Sequence, residues 1–212
     1  MAVLTAPTAA SRWIAAWQAV GAQRIDPALR EALLARWKEP ARHYHTARHL
    51  GECLQHFANV RAEADHPAEI ELALWFHDAV YDLQAHDNEA RSADWARTAA
   101  LAAGVEAPVA ARLHALVMAT PHSALPTTNH EALLVDVDLS ILGADTGRFD
   151  EYERQVRAEY AWVPEATYRE KRAAVLQGFL DRPRLFTTRH FFDRLEVPAR
   201  RNLADSIRRL AG

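Results

Sequence analysis

The chain has 212 residues, 50% of them hydrophobic and 25% charged, a balance that excludes an intrinsically disordered protein. Its single cysteine excludes an intramolecular disulfide framework and a cysteine-rich zinc or iron–sulfur site. The net charge of −3 argues against general affinity for nucleic acid, and no apolar run approaches the roughly 20 residues of a membrane span. The first residues lack a basic start followed by a long apolar core, so we expect a cytoplasmic protein without a secretory signal.

Helix-forming residues dominate the chain. Only seven glycines are present, and no long alternation of apolar and polar residues predicts a strand. Asp26 and Pro27 are typical of a helix start, and Gly104 is typical of a helix end. In chain order, the predicted helices are 11–20, 27–38, 45–63, 67–80, 88–103, 108–120, 131–142, 146–161, 164–180 and 198–210.

These elements predict an all-α fold, a single helical bundle over residues 1–212. Its core is expected at about 43–180, followed by a helical tail at 182–212. The tail contains eight arginines and three acidic residues, a local balance of +5, so the rest of the chain sums to −8. The tail is either an exposed arginine-rich helix or a source of one or two arginines for an anionic substrate, since guanidinium groups match phosphate oxygens.

Eleven histidines are an unusually high number for this length, and histidine is both the commonest metal ligand and the usual acid or base near neutral pH. His45 and His49 are four residues apart, so a helix would place them on one face, and Cys53 would continue that face. Such a pair can bind one metal, or one member can bind while the other acts as an acid. The alternative that the two histidines have a purely structural role stays open at this point.

A second cluster follows an apolar segment, where His77 and Asp78 come directly after Leu-Trp-Phe. Burying an ionisable pair there is costly unless something compensates, and a divalent cation does so because imidazole nitrogen and carboxylate oxygen are both good ligands. Asp82, one turn beyond Asp78, is a candidate catalytic carboxylate that orients a water molecule. A third cluster lies at 133–142, where the spacing to the apolar residues favours Asp138 over Asp136.

The spaced set of motifs resembles the HD superfamily of metal-dependent phosphohydrolases, and in particular a group of bacterial predicted HD phosphohydrolases of about this length. The motifs are YHTARH at 44–49, WFHDAVYD at 75–82 and DLSILG at 138–143. The first and last look like the Tyr-His-Asn-x-x-His and Asp-Leu-Ser motifs of the cyclic-nucleotide phosphodiesterase branch. Thr46 replaces the usual Asn, and the segment with the purine-gripping Gln is missing, so cyclic-nucleotide specificity is not implied.

By this resemblance, His49, His77, Asp78 and Asp138 would bind one divalent metal ion, with Mn, Mg, Fe, Co, Ni and Zn not distinguished. His45 falls on the position of the acid that protonates the leaving group. The implied activity is hydrolysis of a phosphate ester or anhydride of a small molecule, such as a nucleotide, by a water that the metal activates. The expected partner is that phosphorylated substrate, with no nucleic acid and no membrane, and the oligomeric state stays open.

Other groups could serve the same site. The candidates to balance phosphate charge are Arg42, Arg48 and an arginine of the tail. His122 is a candidate ligand for a second metal. Two other functions stay open: a non-catalytic module that binds a metal or a nucleotide, and an HD-type di-iron oxygenase, for which His122 and His114 would be the additional donors.

Overall fold

The computed structural model describes residues 9–121 and 125–212. Within them the chain forms ten α-helices and no strand, so the predicted all-α fold is confirmed. The helices are α1 (Ala9–Ala19), α2 (Pro27–Arg36), α3 (Ala47–Val60), α4 (Pro67–Phe76), α5 (Asn88–Ala102), α6 (Ala107–Val117), α7 (Asn129–Asp138), α8 (Thr146–Glu159), α9 (Glu165–Leu180) and α10 (Arg189–Ala211).

Helix ends form where the local chemistry favours them. The Asp26 side chain accepts a hydrogen bond from the Ala28 amide at 2.8 Å, and Pro27 occupies the first turn of α2. Gly104 ends α5 with a φ of +84°, and a Cβ at this position would lie 2.7 Å from Cγ of Gln23. Both predicted signals are therefore confirmed.

The three histidine- and aspartate-bearing motifs all lie at helix ends. Helix α3 begins at Ala47, two residues later than predicted, because the Thr46 side chain caps it and leaves His45 in the preceding turn. Helix α4 ends at Phe76, so His77 and Asp78 belong to the turn that follows. Helix α7 ends at Asp138, and a 3₁₀ turn, Leu139–Gly143, continues from it. The sequence predicted that His45 and His49 share one face of a helix. This prediction is wrong, because His45 lies before the start of α3.

The predicted start of the last helix at residue 198 is wrong. Helix α10 runs from Arg189 to Ala211 with Pro198 inside it. Proline lacks an amide hydrogen and so removes one helical hydrogen bond. Tertiary packing compensates, because Phe191 and Leu203, on either side of Pro198, are both buried in the core that also contains Trp13 of α1. The predicted tail is thus part of the same hydrophobic core.

Polar side chains of α10 form hydrogen bonds with the segment that connects α9 to α10. The carboxylate of Glu196 accepts hydrogen bonds from the amides of Leu185 and Phe186. Arg200 donates to Glu196 at 2.7 Å and to the carbonyl of Leu180 at 3.0 Å. Both groups therefore stabilise the connection between α9 and α10.

Asn202 joins α10 to the 3₁₀ turn. Its side-chain amide donates to the carbonyls of Leu142 and Ala144, each at 2.9 Å. These carbonyls lie at and just after the end of the turn Leu139–Gly143, which follows Asp138 directly. The C-terminal helix therefore fixes the backbone that presents Asp138.

The two aspartates of α7 have separate environments. Asp136 is fully buried and accepts three hydrogen bonds, from the amides of Thr187 and Thr188 at 3.0 and 2.7 Å and from the Thr188 hydroxyl at 2.6 Å. Asp138 lies near the two histidines described below. The polar partners of Asp136 thus come from the entry to α10.

No helix in the described ranges combines the length and the apolarity that crossing a bilayer requires.

We expect Asp136→Ala to lower the free energy of unfolding by about 3 kcal/mol, because it leaves three donors without their acceptor, two of them on the buried Thr188. Denaturant titration measures this change. Asp136→Asn, which keeps one carbonyl acceptor, is the matched control and should lose less. Equal stability of Asp136→Ala and wild type would show that these hydrogen bonds do not stabilise the entry to α10.

Candidate metal centre

Two histidines and one aspartate converge at the helix ends. The Nε2 atoms of His49 and His77 are 3.2 Å apart. Oδ1 of Asp138 lies 3.1 Å from Nε2 of His49 and 3.5 Å from Nε2 of His77. Together with Cys53, these residues offer four ligand atoms within 4.8 Å of one another. This cluster, largely buried, can hold a metal ion, because imidazole, thiolate and carboxylate are all metal-binding groups.

Asp78 lies beside the same cluster. Its Oδ2 atom is 3.2 Å from Nε2 of His77 and 3.9 Å from Nε2 of His49. The structure therefore brings together all four residues that the sequence predicts as ligands. The side chains of His49 and His77 are buried, whereas those of Asp78 and Asp138 keep 18% and 12% of their surface. The carboxylates are thus the solvent-accessible edge of the cluster.

His77 is oriented by the backbone. Its Nδ1 lies 2.8 Å from the carbonyl oxygen of Leu74, which can only accept, so Nδ1 carries a hydrogen and Nε2 faces the carboxylates. Burial alone would lower the pKa of His77, but Asp78 and Asp138 outweigh it and hold that pKa well above its usual range. A proton on Nε2 or a divalent cation would satisfy the same carboxylates. The donor set therefore fits a metal ion.

Cys53 also faces this cluster, one turn after His49 on α3. Its Sγ lies 3.7 Å from both ring nitrogens of His49. Burial raises the pKa of the thiol well above its usual value, and Asp138 and Asp78 add to that effect. The sequence places Cys53 on the His49 face but does not predict it as a ligand. The four-residue spacing was the available signal.

His45 is held by a buried carboxylate that the sequence does not single out. Its Nδ1 lies 2.8 Å from Oε2 of Glu159, and the Tyr81 hydroxyl donates to the same oxygen at 3.2 Å. The other oxygen of Glu159 accepts hydrogen bonds from the amides of His43, Tyr44 and His45 at 2.8–3.0 Å. Glu159 thus fixes both the turn and the imidazole of His45.

The environment of Glu159 favours its charged form. Burial alone would raise its pKa, but the hydrogen bonds and the charge of His45, together with the backbone amides, lower that pKa to about 2. The ring of Tyr81 stacks on that of His45, with centroids 4.1 Å apart. The imidazole ring of His45 is therefore held at its Nδ1 edge by Glu159 and on one face by Tyr81.

The predicted phosphate-binding arginines are engaged elsewhere. Arg42 is buried, and its guanidinium donates to the carbonyls of Asp78 and Ala79 at 2.6 and 3.2 Å. Arg48 is half exposed and pairs with two glutamates of the surface. Arg42 therefore fixes the backbone of the His77–Asp78 turn, a role that its position beside the first motif does not reveal.

Asp82 and His114 contact groups outside the cluster. Asp82 is exposed, and its carboxylate accepts the Gln84 amide at 3.0 Å, so it faces its own loop. His114 on α6 lies 3.4 Å from the Asp94 carboxylate on α5. His122 lies outside the described residues.

A cavity of about 280 Å³ borders the metal cluster. His49, Cys53 and Asp138 form one part of its wall, and Tyr44 and Arg148 contribute to the rest. Arg148 pairs with Glu52 through two hydrogen bonds of 2.8 and 3.0 Å. The cluster therefore has an adjoining space large enough for a small ligand.

Comparison with known proteins returns no match, whether against family models, curated proteins or solved structures. The resemblance to the HD superfamily stays a prediction that the motifs carry.

Metal content tests the cluster directly. We expect purified wild-type protein supplied with Mn²⁺, Zn²⁺ or Fe²⁺ to retain one metal ion per chain in elemental analysis. Asp138→Ala and Asp78→Ala should lose it, since each removes one of four converging donors. Asp82→Ala is the matched control and should retain the metal. If the wild type retains no metal after Mn²⁺, Zn²⁺ or Fe²⁺ has been added, the ligand assignment is wrong.

The stability conferred by Glu159 should depend on pH. Its pKa falls from 4.5 to about 2 on folding, so its contribution is complete above pH 4.5 and disappears as the pH falls toward 2. The shift corresponds to about 3 kcal/mol. Glu159→Gln should therefore be less stable than wild type at pH 7, and the difference should narrow at pH 3. Urea titrations at the two pH values measure it; a difference independent of pH would contradict the assignment.

Proposed function

We propose that this chain is a metal-dependent phosphohydrolase that cleaves a phosphate ester or anhydride of a small molecule, with nucleotides as the first class to test. The observation that carries the proposal is the position of His45. A buried carboxylate fixes its imidazole, and its ring centroid lies 6.0 Å from that of the candidate ligand His49. A proton donor thus stands next to a group of metal-binding side chains.

His49, His77, Asp78 and Asp138 are the residues proposed to hold the ion. A divalent ion bound there would polarise a phosphoryl oxygen and supply an activated water. The carboxylates, at the accessible edge of the cluster, face the substrate side. The buried imidazoles keep fixed orientations, because the Leu74 carbonyl holds His77 and the Tyr44 ring packs on His49 at a centroid distance of 4.7 Å.

His45 is proposed to protonate the leaving oxygen. Glu159 occupies Nδ1, so Nε2 is the atom that carries the transferable proton. The carboxylate keeps the ring oriented during the transfer. A metal-binding module without catalysis needs no such oriented acid, and this favours an enzyme. We propose that the enzyme acts in the cytoplasm, where its one thiol, Cys53, stays reduced.

The first test is phosphate release from a panel of nucleotides and simple phosphate esters with Mn²⁺ added. We expect at least one member to be hydrolysed by the wild type and by Asp82→Ala. Asp138→Ala should be inactive. Tight binding of a panel member without turnover would favour the non-catalytic module instead.

The role of His45 predicts a dependence on the leaving group. We expect His45→Asn to lower kcat by about 100-fold or more for an alkyl phosphate, whose leaving oxygen needs a proton. The loss should be much smaller for p-nitrophenyl phosphate, whose leaving group is stable as an anion. Steady-state kinetics on both esters measures the contrast. An equal loss on both would contradict a proton-donating role.

A further inference from the structure

The hydroxyl of Tyr44 is buried and has no hydrogen-bond partner among the described residues. The side chain of Tyr44 is only 4% exposed. Burying a polar group without a partner is costly, so proteins seldom keep one without a reason. Two other phenols near the site are paired: Tyr81 donates to Glu159, and Tyr152 accepts from Arg172 at 2.7 Å.

The position of Tyr44 connects this hydroxyl to the metal cluster. Its ring packs between the ring of His49, at a centroid distance of 4.7 Å, and that of Tyr152, at 4.5 Å. Tyr44 lines the cavity of about 280 Å³ together with His49, Cys53 and Asp138. The residue that carries the unpaired donor therefore belongs to the cavity wall beside the candidate ligands.

The phenol is a neutral donor in this environment. A phenol of ordinary acidity is already neutral at pH 7. The guanidinium of Arg148 lies 5.7 Å from the Tyr44 ring centroid, but its charge is shared with Glu52. Arg148, which also lines this cavity, is paired with Glu52, whereas the buried Tyr44 hydroxyl is a donor without an acceptor inside the protein.

We propose that the Tyr44 hydroxyl donates a hydrogen bond to a phosphoryl oxygen of a substrate in this cavity. The inference rests on the proposed function and adds a catalytic residue that the motifs do not assign. A fixed donor in a site with little water stabilises the charge that builds on phosphoryl oxygens during the reaction. The cost of leaving the hydroxyl unpaired in the free protein is then recovered when the substrate binds.

Tyr44→Phe removes the hydroxyl and keeps the packing of the ring. We expect its melting temperature without ligand to equal or exceed that of the wild type, because an unsatisfied buried group is removed. Its affinity for inorganic phosphate, titrated by calorimetry into Mn²⁺-loaded protein, should fall by about five- to tenfold, the value of one hydrogen bond. Its kcat should fall at least as much. Tyr152→Phe is the matched control and should lose stability but keep its phosphate affinity.

Two results would overturn the assignment while leaving the proposed function intact. One is unchanged phosphate affinity and kcat in Tyr44→Phe. The other is a lower melting temperature with unchanged phosphate affinity, which would show that the hydroxyl stabilises the fold. If Mn²⁺-loaded wild-type protein binds no phosphate and hydrolyses no phosphate ester, the proposed function fails and this inference fails with it. The wild-type measurement therefore separates the two kinds of failure.

Discussion

Two imidazole nitrogens, those of His49 and His77, face each other at 3.2 Å in the interior of a helical core, with two carboxylates beside them. Four such groups are costly to bury unless a cation joins them. Much of the surrounding structure serves to hold them in place. Helix α3 begins at this point and helices α4 and α7 end there, the buried Arg42 fixes the turn after α4, and the C-terminal helix fixes the turn after α7.

The helical fold could be predicted because its signals are local. Composition, the Asp26–Pro27 start and the glycine after α5 each act through neighbouring residues, and the structure agrees with them. The start of α10 could not be predicted in this way. A proline inside a helix is locally unfavourable, and the packing of Phe191 and Leu203 that outweighs it involves elements far away in the sequence.

The same division applies to the site. The adjacency of His77 and Asp78, and the spacing of Asp138 within its helix, indicated which residues would converge. Glu159 carries no comparable signal: it lies 114 residues from His45, in a helix whose sequence is rich in charged residues. Asp82 is the opposite case: its position one turn after Asp78 predicts a catalytic carboxylate, whereas its side chain accepts the Gln84 amide of its own loop. Spacing identifies ligands on one element, but only the fold identifies the groups that orient them.

The contact between Asn202 and the 3₁₀ turn also bears on the order of events during synthesis. Every candidate ligand leaves the ribosome well before residue 202, yet the backbone after Asp138 obtains its two side-chain amide contacts only once Asn202 has emerged. A nascent chain thus exposes its histidines and carboxylates before they are held in a fixed geometry. The emergence of Asn202, and not only that of the motifs, is therefore needed for the backbone contacts beside Asp138.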